Sequence, residues 1–261
     1  MIRTATPRAE ASRIPPATTA AVSGARWKSY CASSSDLRAS PSQSAIACAI
    51  SSGCCPRSVR VRTVSFVEEL AAAEIGATFN FYREGPRARL LRRRLACYLA
   101  AREHARFLLV GEAPGYRGAR ISGLPFTSER QLTGAGPAEA TATIVRATLA
   151  ELELEDDTLC WNVVPTHPGT ETANRRPTRA EIGAGRVFLE RLARGRRLIA
   201  VGRIAAAAID APYVRHPSHG GAEAFRSGLL RFALGGRPVR RFHAKDLERK
   251  TRRSRAPLVR G

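Results

Sequence analysis

The sequence predicts an α/β fold, a three-layer α/β/α sandwich with a short central parallel sheet. Three observations carry the prediction. Short apolar runs alternate with segments of helical period, the pattern of a parallel sheet crossed by helices. The clearest run, Phe107-Leu108-Leu109-Val110, is continuous, as suits a strand buried on both faces. Three runs end in motifs that bear glycine or polar groups: Gly111-Glu112-Ala113-Pro114-Gly115, Asn162-Val163-Val164 and His216-Pro217-Ser218-His219. In open α/β sheets ligands bind beyond the carboxyl ends of the strands, so three such motifs can converge on one site.

The elements follow in order. Residues 66–75 read as a short helix. Residues 86–105 read as a longer one, with Leu90, Leu91, Leu95, Tyr98 and Leu99 at helical spacing and arginines opposite. After the strand at 107–110, residues 116–137 form a long loop dotted with glycine. Residues 138–152 place Ile144, Val145, Thr148, Leu149 and Leu152 on one helical stripe. A strand at 157–164 and a polar loop at 165–177 come next. Thr178-Arg179-Ala180-Glu181 has the form of a capping box and opens a helix that runs to about residue 194. A strand at 198–201, an Ala-rich helix at 204–211 and a short strand at 213–215 complete the pattern.

The formal charge is +21 over 261 residues, spread unevenly. Residues 1–63 carry +7, residues 237–261 carry +8, and the middle carries +6. The domain is therefore expected at 64–236, between a disordered, low-complexity basic N-terminal tail and a basic C-terminal one. The first tail is Arg-rich, Ser-rich and acid-poor, a composition shared by organellar transit peptides and by translated upstream sequence. A protein this basic suits a polyanion, and nucleic acid is the commonest. Of six cysteines, four lie in the first tail, and no Cys-x-x-Cys occurs. Neither a zinc site nor a disulfide framework is expected, and the cytoplasm fits. No apolar run approaches the roughly 20 residues of a membrane helix.

Taken singly, each motif has an ordinary reading: a Gly/Pro turn, an Asn ending a strand, a Phe in a core. Their chemistry is more specific. Gly111 and Gly115 allow backbone close to a ligand, and Pro114 stiffens the turn. The amide of Asn162 offers a donor and an acceptor side by side. Uracil presents N3–H beside O4, which one such amide pairs, whereas cytosine reverses the pattern. His216 is a group able to donate to an oxygen on which charge develops.

The order, spacing and strand context of these motifs resemble the uracil-DNA glycosylase superfamily. Within it they are most similar to the family 4-like branch, whose first motif reads GEAPG and whose last begins His-Pro-Ser. The resemblance spans residues 107–225 and includes Trp161-Asn162-Val163-Val164-Pro165 and Asn174-Arg175-Arg176-Pro177. It implies a hydrolase that flips uracil out of DNA and leaves an abasic site. By resemblance, residues 111–115, with Ala113 among them, line the base pocket. Phe126 stacks on the base, Asn162 reads it, and His216 meets O2. Ser218 opens a loop against the DNA backbone, Glu112 serves the water or the sugar, and Arg175, Arg176 and Arg179 hold phosphates. His219 and His167 are lesser candidates for the histidine role.

Two departures stand out. The branch carries acidic residues after GEAPG, where this chain has Tyr116-Arg117-Gly118. Glu112 is then the only motif carboxylate, with Glu129 a substitute on the loop, and Tyr116 a candidate for excluding thymine. The branch also holds a four-cysteine iron–sulfur cluster, for which this chain lacks a plausible set, so no cofactor and no metal are expected. Alternatives remain: a glycosylase for a deaminated purine or mismatched thymine, or a catalytically weak binder of nucleic acid or nucleotide. A monomer acting on single- or double-stranded DNA is expected.

Overall fold

The computed structural model describes residues 57–235, all within the unit Arg38–Gly261, with side chains from residue 62. The expectations for residues 1–56 and 236–261 lie outside the described residues. Helices α1 (Arg57–Ala72) and α2 (Ala88–Ala101) precede β1 (Phe107–Gly111). Short α3 (Ala119–Ser122) and α4 (Glu129–Thr133) lead to α5 (Ala140–Glu151) and β2 (Thr158–Asn162). Then come α6 (Arg179–Ala193), β3 (Arg197–Val201), α7 (Gly202–Ala208), β4 (Tyr213–Val214) and α8 (Ala222–Ala233).

The four strands form one parallel sheet in the order β2-β1-β3-β4. All of β1 and β2 is buried, which is why their sequences are apolar without alternation. Register places Gly111 beside Asn162, and Val110 beside Ala200. Thr158, Cys160 and Asn162 therefore share one face with Phe107, Leu109 and Gly111, while Trp161 points to the other. On the Trp161 face, Phe66 of α1 meets Trp161 and Phe188 of α6 edge to face, at 5.7 and 5.6 Å between centroids. On the opposite face, Phe232 of α8 meets Phe107 at 5.7 Å. Two helix layers and a sheet between them are the predicted architecture. The Tyr98 hydroxyl on α2 accepts a 2.7 Å hydrogen bond from the Cys160 N–H, which covers a backbone donor of β2, an outer strand of the sheet.

Three sequence expectations need correction. The first helix starts at Arg57, not at 66. The 116–137 loop contains α3 and α4, whose four and five residues are too short to show a period. Residues 222–233, assigned to no element, form α8, with Phe225, Leu229 and Phe232 buried.

The capping box at α6 forms as its sequence implies. Glu181 N–H donates to Thr178 Oγ1 (3.2 Å), and Thr178 N–H donates to Glu181 Oε2 (2.8 Å). Arg175 adds two hydrogen bonds to the same carboxylate, at 2.8 and 2.6 Å. Arg175, helped by the Thr178 contacts, outweighs burial and holds the Glu181 carboxyl down at about 2, against an ordinary value of 4.5. A depressed carboxyl stabilises the fold fully above its unfolded value and ceases to do so as pH falls through the folded one. Glu181→Gln should cost about 1–3 kcal/mol at neutral pH. In thermal unfolding, the gap between wild type and Glu181→Gln should shrink as pH falls from 4.5 toward 2.

Candidate active site

The site is built at the carboxyl ends of the strands, and glycine makes room for it. A Cβ on Gly111 would stand 2.5 Å from Phe126 Cζ and 2.7 Å from Asn162 Oδ1. The absent side chain thus lets Asn162 lean from β2 over the end of β1, with the Phe126 ring beside it. At the end of β3, Gly202 has φ +84°, and a Cβ there would meet His216 Cβ at 3.3 Å and Cδ2 at 3.4 Å. His216, just past β4, leans over this second glycine. Asn162 and His216 therefore tilt inward from the two outer strands, over glycines at the ends of the two inner ones.

Asn162 is 4 % exposed, and among the described residues its amide makes no hydrogen bond. Burying an amide without a partner costs on the order of 1–3 kcal/mol. Such a group keeps its donor and acceptor for a ligand.

Phe126 is held in a costly conformation, with φ +49°. Such strain persists only when its surroundings over-determine it. Here Arg146, buried on α5, donates from Nε to Phe126 O (3.2 Å) and to Thr127 Oγ1 (3.1 Å). Its Nη2 also donates to Thr127 Oγ1, at 2.5 Å. The sequence reading missed this residue, because an arginine within an apolar stripe looks like any surface arginine.

His216 sits in a local ring of contacts. The Ser218 N–H donates to His216 Nδ1 (3.2 Å), and the Ser218 hydroxyl lies 2.8 Å from the same atom. With Nδ1 accepting, the neutral imidazole carries its proton on Nε2. Burial, reinforced by His219 and Arg215, pushes the ring below its ordinary 6.5. A neutral Nε2–H donor is thereby kept at physiological pH. Ser218 is thus joined to the histidine itself.

Glu112 is half-buried after β1; burial raises its carboxyl and the nearby charge of Arg176 opposes the rise. Ala113 and Gly115 are partly exposed and Pro114 is buried. The turn is tied to the 165–177 loop twice: Tyr116 N–H donates to Asn174 Oδ1 (2.9 Å), and His167 Nδ1 lies 2.8 Å from Pro114 O.

Other candidates are committed elsewhere. His167 is fully buried, with Nε2 2.8 Å from Thr170 O, and clamps two loops. Glu129 is gripped by Arg94 (2.7 and 3.1 Å) and Arg87 (2.7 Å). Burial opposes its ionisation, but the two arginines win and hold it below the ordinary range. It is a strut, and not a substitute catalytic carboxylate. Arg175, Arg176 and Arg179 are all exposed, and Arg175 spends its guanidinium on Glu181 and on Ala77 O (2.9 Å). Among the described residues no cluster of three or more His, Cys, Asp or Glu is placed to hold a metal. No helix there is long and apolar enough to cross a membrane.

Strand-end glycines with an amide and a neutral imidazole leaning over them, at the carboxyl ends of a parallel sheet, are the arrangement of an α/β ligand-binding site. The family model of the uracil DNA glycosylase superfamily matches residues 99–247, more than half the chain, and the chain belongs to that superfamily. It is a DNA glycosylase, a hydrolase acting on DNA. The fold is similar to that of SMUG2 from Pedobacter heparinus, with a TM-score of 0.52 and 13 % identity over 68 % of this chain and 97 % of that one. No curated protein matches the sequence.

The His216 geometry has a direct readout. Nitrogen NMR should show the ring neutral at pH 7 with its proton on Nε2, and a second proton gained only below 6.5. Ser218→Ala should weaken that tautomer preference and lower the excision rate.

Proposed function

We propose that this chain excises uracil from DNA, leaving an abasic site. The observation that carries the reading is the buried, uncommitted amide of Asn162 beside the Phe126 ring over Gly111. The flipped base stacks on Phe126 and presents N3–H and O4 to Asn162, whose amide, with its oxygen toward N3, pairs with both. As the N-glycosidic bond breaks, negative charge gathers on uracil O2. His216 Nε2–H meets it, and a preorganised donor at developing charge is a large catalytic contribution. Glu112 sets a negative charge on the sugar side, where positive character develops. Ser218 keeps the histidine in its donor tautomer. Gly111, Ala113, Pro114 and Gly115 form the turn against which base and sugar pack.

The exposed Arg176 and Arg179 hold phosphates at the rim, with the basic tails adding affinity that carries no sequence choice. Arg175 serves the same loop as an internal brace. The reading is of a divergent member of the superfamily, similar to the GEAPG branch and working without a cofactor.

The test is excision from end-labelled oligonucleotides holding a single uracil, single-stranded or opposite guanine, with hypoxanthine, xanthine and T·G strands in parallel. Wild type should cleave at uracil. Asn162→Ala should lose about 2–4 kcal/mol of transition-state stabilisation, or about 30- to 1,000-fold in rate. Cleavage confined to another base would discard uracil as the substrate.

A further inference from the structure

The hydrolysis needs a carboxylate at the water, and the turn after β1 is poor in acids of its own. Residues 113–118 read Ala-Pro-Gly-Tyr-Arg-Gly. The structure nevertheless brings a carboxylate there from elsewhere in the chain. Glu139, the residue before α5, lays its side chain across this turn. A Cβ built on Gly118 would stand 2.6 Å from Glu139 Cδ, with Oε2 closer still. A Cβ on Gly115 would stand 3.2 Å from Cδ, with Oε1 closer. The Glu139 carboxylate thus occupies the space that side chains of residues 115 and 118 would fill.

Its surroundings set it apart from the neighbouring acids. Glu129 and Glu181 are each gripped by arginine, Glu171 pairs with Arg120 at 3.0 Å, and Glu112 has Arg176 near it. Among the described residues the carboxylate of Glu139 has no hydrogen bond and no cation. An acid that served only to hold the turn would be expected to bond the backbone it covers.

We propose that Glu139 is the carboxylate that activates the water in the glycosylase reaction, delivered across Gly115 and Gly118. The inference rests on the reading of the chain as a base-excising hydrolase with its reacting sugar beside residues 111–118. In the step, Glu139 accepts a proton from water as the hydroxyl oxygen bonds to the sugar C1′. The C1′–N1 bond breaks, and its electron pair leaves with the base as an anion held by His216. That anion then takes a proton from solvent, and Glu139 returns its own. Burial alone raises the Glu139 carboxyl above its ordinary 4.5, which strengthens it as a base.

The experiment compares single-turnover excision over a range of pH, DNA affinity by anisotropy, and thermal stability, for wild type, Glu139→Gln, Glu139→Ala and Glu139→Ala/Gly118→Asp. Glu139→Gln keeps the shape of the side chain. It should slow excision about 100-fold or more, the usual scale for a general base, with DNA affinity within about threefold of wild type. The wild-type rate should fall on the acid side as Glu139 and Glu112, both raised by burial, are protonated above pH 4.5, and Glu139→Gln should remove the Glu139 part of this limb and flatten it. The double variant puts a carboxylate back from position 118 and should recover activity over Glu139→Ala.

Excision by Glu139→Gln near the wild-type rate with the acid limb intact overturns the proposal. So does a loss that comes with lowered stability or DNA affinity and spares the pH profile, which marks a packing role. If wild type excises another base and not uracil, the uracil reading fails while the same comparison on that base still decides Glu139. If wild type excises nothing, both fail.

Discussion

Two missing side chains govern the geometry of this protein's site. At residue 111 any Cβ would collide with Phe126 and Asn162, and at residue 202 it would press on His216 in a backbone that side chains rarely adopt. The collisions involve an aromatic ring, a buried amide and an imidazole, none of which can move without leaving the site. Strand order then does the rest. With β1 and β3 in the middle, the glycine-ended strands are the inner pair, and the polar side chains come from the outer pair or just beyond it. The sheet thus sets both the floor and the direction from which each group approaches.

Above that floor the loops are held by buried arginines. Arg146 fixes the carbonyl of Phe126 and the hydroxyl of Thr127, and Arg94 binds Glu129 at the start of α4 while donating to Ser122 O at 3.2 Å. These contacts bracket the segment that carries Phe126. A positive φ at a phenylalanine survives because the cost of freeing a buried guanidinium exceeds the strain. The rigidity of an otherwise irregular segment is thereby traced to charge–dipole contacts more than to regular structure.

The strands, the main helices and the capping box at Thr178 were legible in the sequence because each rests on local pattern: continuous apolar runs, a 3.6-residue period, a side chain three residues from its backbone partner. The motifs after the strands were legible for the same reason. What escaped was set by tertiary contact. A tether such as Arg146, or an acid such as Glu139 whose carboxylate reaches residues 115 and 118 from 139, has no local signature. Glu129 shows the reverse error. As an acid near the right motif it looked available, but two arginines from α2 and its approach had already claimed it. Helix α8 lay inside the expected domain but was assigned to no element, since its buried Phe225, Leu229 and Phe232 are only three apolar contacts in a short segment beside a basic stretch.

The same tertiary commitments change how the charge should be read. A formal +21 suggests a uniformly adhesive surface, yet Arg94 and Arg146 are buried and Arg175 is bound to Glu181. These arginines build the fold and release few counterions on meeting a polyanion. In the proposed reading, affinity comes from the exposed arginines and the tails, whereas choice of base comes from Asn162 and His216, both uncharged at neutral pH. The separation has a physical reason. A cation in the base pocket would hold any electron-rich ring edge, while an amide and a neutral imidazole demand a donor–acceptor match. On that reading, charge at the rim and neutral dipoles at the floor let an intensely basic protein bind DNA widely and still act on one base.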